Sequence, residues 1–402
     1  MALEIRTITD DEVTAYRETL MQTFGVDADA DEGGVDRHRK LVDLSQSWAA
    51  FEGNQIVATA ATFNHQMSLP LGGSLPMAGL TMVTVRPSHR RKGLLRQLMT
   101  RHLDDARARN FPVSGLWASE SKIYGRFGYG IAAFADAYEI PNAHALEVGP
   151  GRDLDDLEWI DEGRAREVLP AIYARATDAR PGALRRSPAW WRERRFIENA
   201  WSRKGASRRR YVLAKRGRDL VGYIAYRQRD KFTGGLPDGR LEINELISID
   251  ARAAVTLWKF ACSVDLFPTV TWWNAPPDDA LPWNVDDLRR VKRSKEDTLW
   301  LCIEDVPAAL AARGYTTDGT LRIAVGGWTY ELVAEGGKGT CEPTSKAPDI
   351  SCTKQTLATL YLGAVTATNL AQAGIVRGEA KSLALADALF SSPLAAWCPE
   401  IF

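Results

Sequence analysis

Two short stretches of this chain combine residue types that could do chemistry. In VTVRPSHRRKGLLRQLM, residues 83–99, an apolar run gives way to a basic, glycine-containing turn and then to residues with helical spacing. The free N–H groups and positive end of a helix make such a turn an anion site. Arg90, Arg91 and Lys92 add side-chain charge, and Gly93 lets the backbone approach a pyrophosphate closely. A basic turn taken alone is usually just a solvated turn; the strand before it and the amphipathic helix after it favour the anion site here. The second stretch, ASESKIYGRFGYG at residues 118–130, places three glycines within six residues around two tyrosines and a phenylalanine. It reads as a shaped loop, neither helix nor strand. A shaped loop with a phenol in it could be turn architecture or part of a site.

The rest of the composition narrows the chemistry. The chain has 402 residues, 51 basic and 51 acidic, so its formal net charge is zero. That balance argues against a protein devoted to nucleic acid or to an anionic membrane. No apolar run reaches the length of a membrane span, and MALEIRTITDDE carries no basic-then-apolar targeting signal. Cys262, Cys302, Cys341, Cys352 and Cys398 form no Cys-x-x-Cys pair, which suits a reduced cytoplasmic protein without structural zinc. His38, His65, His89, His102 and His144 never fall four apart, and there is neither a Gly-x-Ser-x-Gly elbow nor a Walker loop. The expectation is chemistry that needs no metal and no serine nucleophile.

Length alone implies two or three domains. Residues 1–148 alternate strands and helices: SWAAFEG and NQIVATAATF as two strands, AGLTMVTV as a third, then the basic turn. A helix follows in which Leu94, Leu95, Leu98, Met99, Leu103 and Ala106 keep one face, and FPVSGLWAS (111–119) returns as a strand. GPGRDLDD reads as a linker. Residues 149–292 repeat the order strand–strand–strand–helix–strand without a counterpart of RPSHRRKG, as a duplicated unit that lost its loop. Residues 293–402 change character: a strand TLWLCIED, a short helix VPAALAARG, a hairpin LRIAVGG–WTYELVAEGG, and three helix-like segments before the ending PLAAWCPEIF.

With these features assembled, the turn RRKGLL resembles the acetyl-coenzyme A loop of the GCN5-related N-acetyltransferases, Arg/Gln-x-x-Gly-x-Gly/Ala, with Leu95 departing from the last position. HRRKGLLR, WASE and IYGRFGYG together resemble the enhanced-intracellular-survival branch of that family along the whole chain. The resemblance implies an α/β and α+β architecture: a catalytic acetyltransferase domain (1–148), a degenerate second one (149–292) and a sterol-carrier-protein-like α+β domain (293–402). It implies acetyl-coenzyme A as donor, an amine or peptide acceptor, and a homo-oligomer, a hexamer in relatives. Val83, Thr84 and Val85 would pair their backbone with the pantetheine amides. Arg90, Arg91, Lys92, Gly93, Leu94, Leu95 and Arg96 would wrap the pyrophosphate. Ser119 and Glu120 would lie along the cofactor near its thioester, Tyr124 would be the general acid, and the α-carboxylate of Phe402 the general base. Trp117 would face the acceptor.

The chemistry is consistent with that assignment. A thiol with pKa of about 8.5 is already a fair leaving group, and an α-carboxylate with pKa of about 3.5 is a weak base but ionised at neutral pH. Phe127 and Tyr129 are read as holding the loop to the core. Trp117 stands where some relatives carry histidine in HASE. Glu400-Ile401-Phe402 differs from the Glu-Phe ending of familiar relatives, so one substrate-side carboxylate is shifted or lost. The acidic run DADADE (27–32) could attract polyamines or be a solvated loop. Between Arg192 and Arg218 stand eleven basic residues against two acids, read as a solvated face or a contact to an acidic neighbouring subunit. The rival readings are the same catalytic frame on a small metabolite amine, and a non-catalytic coenzyme A-binding protein with a nucleic-acid or protein partner.

Overall fold

The computed structural model describes residues 3–27 and 31–402; Asp29 of the early acidic run lies outside the described residues. The chain divides into two compact units: residues 1–133, 179–193 and 298–402 form one, and residues 134–178 with 194–297 the other. No helix among the described residues is long and apolar enough to cross a membrane.

The first unit opens with strand β1 (Leu3–Thr7) and helices α1 (Val13–Thr23) and α2 (Gly34–Leu41). Strands β2 (Ser47–Glu52), β3 (Gln55–Ser68) and β4 (Ser74–Val85) follow, then helix α3 (Leu94–Ala108), strand β5 (Val113–Trp117), the short helix α4 (Ser121–Tyr124) and strand β6 (Gly130–Ile131). Helix α3 forms as its spacing predicts, with Leu94, Leu98, Met99, Leu103 and Ala106 buried; His102 shares that apolar face. The sheet runs β1-β2-β3-β4-β5, then the strand Leu299–Ile303, then β6. That later strand, grouped by sequence with the third region, lies inside the first sheet, antiparallel to both β5 and β6. All five of its residues are buried, and a strand apolar on both faces is at home only in a covered sheet interior.

The C-terminal part of this unit adds a five-stranded sheet in the order Lys338–Pro343, Trp328–Glu335, Gly319–Val325, Ile350–Ser351, Arg377–Gly378. Gly326 and Gly327, at φ 62° and 88°, close its main hairpin. Phe63, Met77, Leu299 and Leu301 of the first sheet share one buried cluster with Leu321, Ile323, Leu357, Tyr361, Phe390 and Phe402. The third region therefore has no separate core; it is built onto one face of the first sheet.

The second unit repeats the first sheet's plan. Its strands run Lys292–Asp297, Phe134–Ile140, Thr269–Ala275, Arg240–Ser248, Asp219–Arg229, Arg210–Arg216, Asp156–Ile160. As with β4 and β5, the one parallel pair, Arg240–Glu242 with Thr269–Thr271, covers three residues and then opens. The helix after this opening, Ala251–Ser263, begins at Asp250, whose carboxylate accepts from the Ala253 N–H at 2.9 Å and pairs with Arg216. N–H groups that could hold an anion are met by the chain's own carboxylate, so this helix start offers a phosphate less than an uncapped one would. Much of the basic run is ion-paired within this unit: Arg195 to Glu245, Arg209 to Glu198, Lys215 to Glu158, Arg216 to Asp155.

Candidate active site

Strand β4 carries a bulge. Ala61 pairs with Thr81 and Thr59 with Thr84, leaving Met82 and Val83 opposite the single residue Ala60. Met82 adopts φ 54°, and its carbonyl is taken by the Thr59 hydroxyl at 2.7 Å. Pairing of β4 with β5 stops at Gly79 with Gly115. Beyond that point the β5-facing edge of Val83, Thr84 and Val85 is released from the ladder, so a ligand backbone could pair there instead. Thr84 is buried against Thr59, hydroxyl to hydroxyl at 2.6 Å.

The turn after β4 is built for an anion. Arg91 and Gly93 both take positive φ, 64° and 79°, and Gly93 begins α3 without a side-chain cap. The first N–H groups of the helix, on Leu94, Leu95 and Arg96, therefore face outward uncapped. Arg90, Arg91, Lys92 and Arg96 are exposed, and none has a carboxylate ion-pair partner among the described residues. This contrasts with the carboxylate-capped helix of the second unit and fits a pyrophosphate.

The loop after β5 departs from the expected irregular conformation: Ser121–Tyr124 is a helical turn and Gly125–Phe127 a 3-10 turn. Its three glycines have a common cause. A Cβ on Gly130 would lie 2.1 Å from the Gln355 carbonyl oxygen, one on Gly128 3.1 Å from Cys302 Sγ, and one on Gly125 3.0 Å from Gln355 Nε2. Gly128 also needs φ 92°. The loop is pressed against the helix Lys354–Tyr361 and the strand Leu299–Ile303; backbone crowding demands glycine at 130 and positive φ favours it at 128, while at 125 the end of the Gln355 side chain can give way. Tyr124 is buried in a cluster with Leu80, Leu94, Leu98 and Tyr129, against which Val83, Val85 and Leu95 pack. Burial raises its pKa, against a hydrogen bond with Ser119 that lowers it, so the phenol is protonated at neutral pH. Ser119 and Glu120 stay exposed at the start of the loop.

Beneath the loop lies a hydrogen-bond chain that sequence reasoning missed. Ser114 Oγ donates to the Ala78 carbonyl at 3.0 Å and contacts Tyr129 Oη and His102 Nε2, each at 2.6 Å. Having one hydrogen, already given, Ser114 must accept from both. His102 is then the neutral Nε2–H tautomer, and its Nδ1 accepts from Thr62 at 2.7 Å. Burial pushes His102 down to about 3, which agrees with that tautomer. His38, buried near Arg17 and Arg39, is pushed down to about 4. Both stay neutral in the folded chain, while in the unfolded chain each takes a proton below its ordinary pKa of about 6.5. Their contribution to stability is thus complete above that pH and lost as the pH falls toward 4. The expected result is a melting temperature that declines from pH 7 to pH 5 with net proton uptake on unfolding. Burial pushes the Asp279 carboxyl up to about 7, so it releases a proton on unfolding and opposes the trend; a flat profile over that interval in Asp279→Asn, measured by calorimetry, would contradict the assignment.

The last residues of the chain meet the first sheet on its other face. Along β4, Leu80 points to the cluster under α3, so Gly79 points the opposite way. A Cβ on Gly79 would strike His65 Cδ2 at 2.6 Å and Phe402 Cε2 at 3.1 Å. The His65 and Phe402 rings lie 4.9 Å apart, and both are buried. Phe402 therefore sits where β4 and β5 begin to diverge, while Tyr124 belongs to the cluster on the α3 side. Trp117 is half-buried at the end of β5, on the Cys398 side of the sheet. Glu400 is not a free carboxylate facing an acceptor: it is buried, ion-paired to Arg186, and accepts from Trp190 Nε1 at 2.9 Å. In the early acidic run Asp31 is likewise occupied, between Arg17 and Arg37.

Sequence and structure comparisons agree with this geometry. Residues 4–132 match the model of an acetyltransferase (GNAT) domain, residues 182–301 a second model of the same description, and residues 306–399 a sterol carrier protein domain. An uncharacterised N-acetyltransferase of Streptomyces avermitilis is 34% identical over 415 residues, covering both chains completely. The N-acetyltransferase Eis of Mycobacterium tuberculosis is 32% identical over 354 residues, 85% of this chain and 84% of that one. The crystal structure of Eis1 from Mycobacterium abscessus superposes with a TM-score of 0.84 at 29% identity, covering 100% of each chain. An uncapped basic helix start in the first unit, a carboxylate-capped one in the second and a sterol-carrier-like third region, in a chain matched over 85% of its length or more by these relatives, have one reading: this chain belongs to the Eis family of GCN5-related N-acetyltransferases.

Proposed function

We propose that the protein transfers the acetyl group of acetyl-coenzyme A directly to a primary amine of an amine-rich acceptor, an aminoglycoside or a lysine side chain. In this reading the pyrophosphate is held by the uncapped N–H groups and cations of residues 90–96. The pantetheine pairs with the released edge of Val83–Val85. The acceptor nitrogen attacks the thioester carbonyl carbon, and the C–S bond breaks as the tetrahedral centre collapses. Tyr124 Oη donates to the departing sulfur, and the Phe402 α-carboxylate takes the proton lost by the nitrogen. The products are an acetamide and coenzyme A thiol, with no acyl-enzyme. The single observation that carries the reading is Phe402 packed on His65 and Gly79, at the point where β4 leaves β5. The test is product analysis after incubation with acetyl-coenzyme A and a panel of aminoglycosides, polyamines and lysine peptides. Acetyl groups on acceptor nitrogens of one class are expected. Transfer confined to a small metabolite amine would replace the acceptor class, and no transfer to any amine would overturn the reading.

A further inference from the structure

We infer that the ion pair between Arg186 and Glu400 is a latch that sets the register of the chain's end and so positions the Phe402 carboxylate for the reaction; the inference rests on the reading of that carboxylate as the base. Residues 179–193 belong to the first unit and lie beside the end of β3. The Ser68 N–H donates to Ala183 O at 2.8 Å, Gly182 N–H to Ser68 O at 3.0 Å, and Arg185 N–H to Gln66 O at 2.9 Å. The last residues of the chain dock along the same segment: Trp397 N–H donates to Pro181 O at 2.8 Å and Arg180 Nη1 to Ala395 O at 3.1 Å.

Glu400 then closes the arrangement with both carboxylate oxygens. Oε1 takes Arg186 Nε and Oε2 takes Trp190 Nε1, and the side chains of Arg186 and Glu400 are only 1% and 2% exposed. The Arg186 guanidinium lies over the Trp191 ring at 4.5 Å, which fixes its plane. Trp190 stands edge-on to Phe63 at 5.1 Å and to His65 at 5.0 Å, and His65 packs on Phe402. The circuit runs from Arg186 through Glu400 to Phe402, and back through His65 and Trp190. Glu400 and Phe402 are two residues apart, so holding the first confines the second to a radius of about 7 Å. The latch also explains the Glu-Ile-Phe ending: the carboxylate two places before the end serves the protein, leaving that of Phe402 for the acceptor. Arg186 is a positioning residue, acting through Glu400.

A buried ion pair can be replaced by apolar side chains of similar volume without loss of fold, which separates positioning from support. In Arg186→Met/Glu400→Met the fold is expected to hold, with a modest fall in melting temperature because the buried Trp190 Nε1–H loses its acceptor. The kcat for amine-dependent thiol release should fall about 100-fold, the cost of a base misplaced by about 1 Å. The KM for acetyl-coenzyme A should stay the same and the acid limb of the kcat/KM–pH profile should move. A folded double variant with wild-type kcat and pH profile would overturn the latch. Should the double variant not fold, Arg186→Lys, which keeps the charge but loses the planar Nε, decides in the same assay: reduced kcat with unchanged KM for acetyl-coenzyme A supports the latch, and wild-type kcat overturns it. Wild-type protein extended by one alanine is run alongside. Full turnover there would refute the Phe402 base itself, whereas loss of turnover there with wild-type kcat in the latch variants would refute only the latch.

Discussion

Appending a single alanine after Phe402 is expected to lower kcat by about 100- to 10,000-fold, the range a positioned general base supplies, while acetyl-coenzyme A binds as before. The added residue moves the charged end one residue onward and leaves a neutral amide carbonyl where the carboxylate stood. The Phe402 ring is buried and packed on His65 and Gly79, so the ring is expected to keep its seat while the charge moves beyond it. The turn at residues 90–96, where the pyrophosphate is proposed to bind, is formed from a different segment, the start of α3, and should not register the change. Loss of donor affinity in parallel with kcat would mean that the extension disturbs the sheet rather than the chemistry.

Tyr124→Phe is the second large effect. A fall in kcat of about 100-fold is expected, the low end of the acid–base range, because the thiolate is already a fair leaving group. The KM for acetyl-coenzyme A should change little, since the ring and its packing against Leu80, Leu94 and Tyr129 are retained. Burial raises the pKa of the phenol, so the neutral donor is present at physiological pH and the alkaline limb of the profile should lie above that of a free phenol. An unchanged kcat in the phenylalanine variant would return Tyr124 to a packing role.

How much of this was legible in the chain varies with how local each cause is. The basic, glycine-containing turn and α3 could be read directly as elements, because such a turn and a helical apolar face are written in consecutive residues. The repeated strand order was legible for the same reason, although the Asp250 carboxylate on the second unit's helix start needed the capping geometry. Tyr124 and Phe402 entered by family resemblance; no spacing singles them out. The latch was invisible: Arg186 and Glu400 are 214 positions apart and Trp190 and Glu400 are 210. An ion pair of that kind leaves no periodic trace. His102 did leave a trace, a polar residue on the buried stripe of α3, and could have been questioned from sequence. The glycines of the loop announced close approach but not to what; Gln355 and Cys302 lie about 170–230 positions later. The strand Leu299–Ile303 was assigned to the terminal module because it adjoins it in sequence, and its continuous apolar run was the overlooked sign of a covered sheet interior.

Thiol release from acetyl-coenzyme A by the unaltered chain, followed with and without a primary amine, tests the central claim most directly. Release should require the amine, saturate in both substrates and leave no acetyl group on the protein. Tight binding of acetyl-coenzyme A with no release for any aminoglycoside, polyamine or lysine peptide would contradict it.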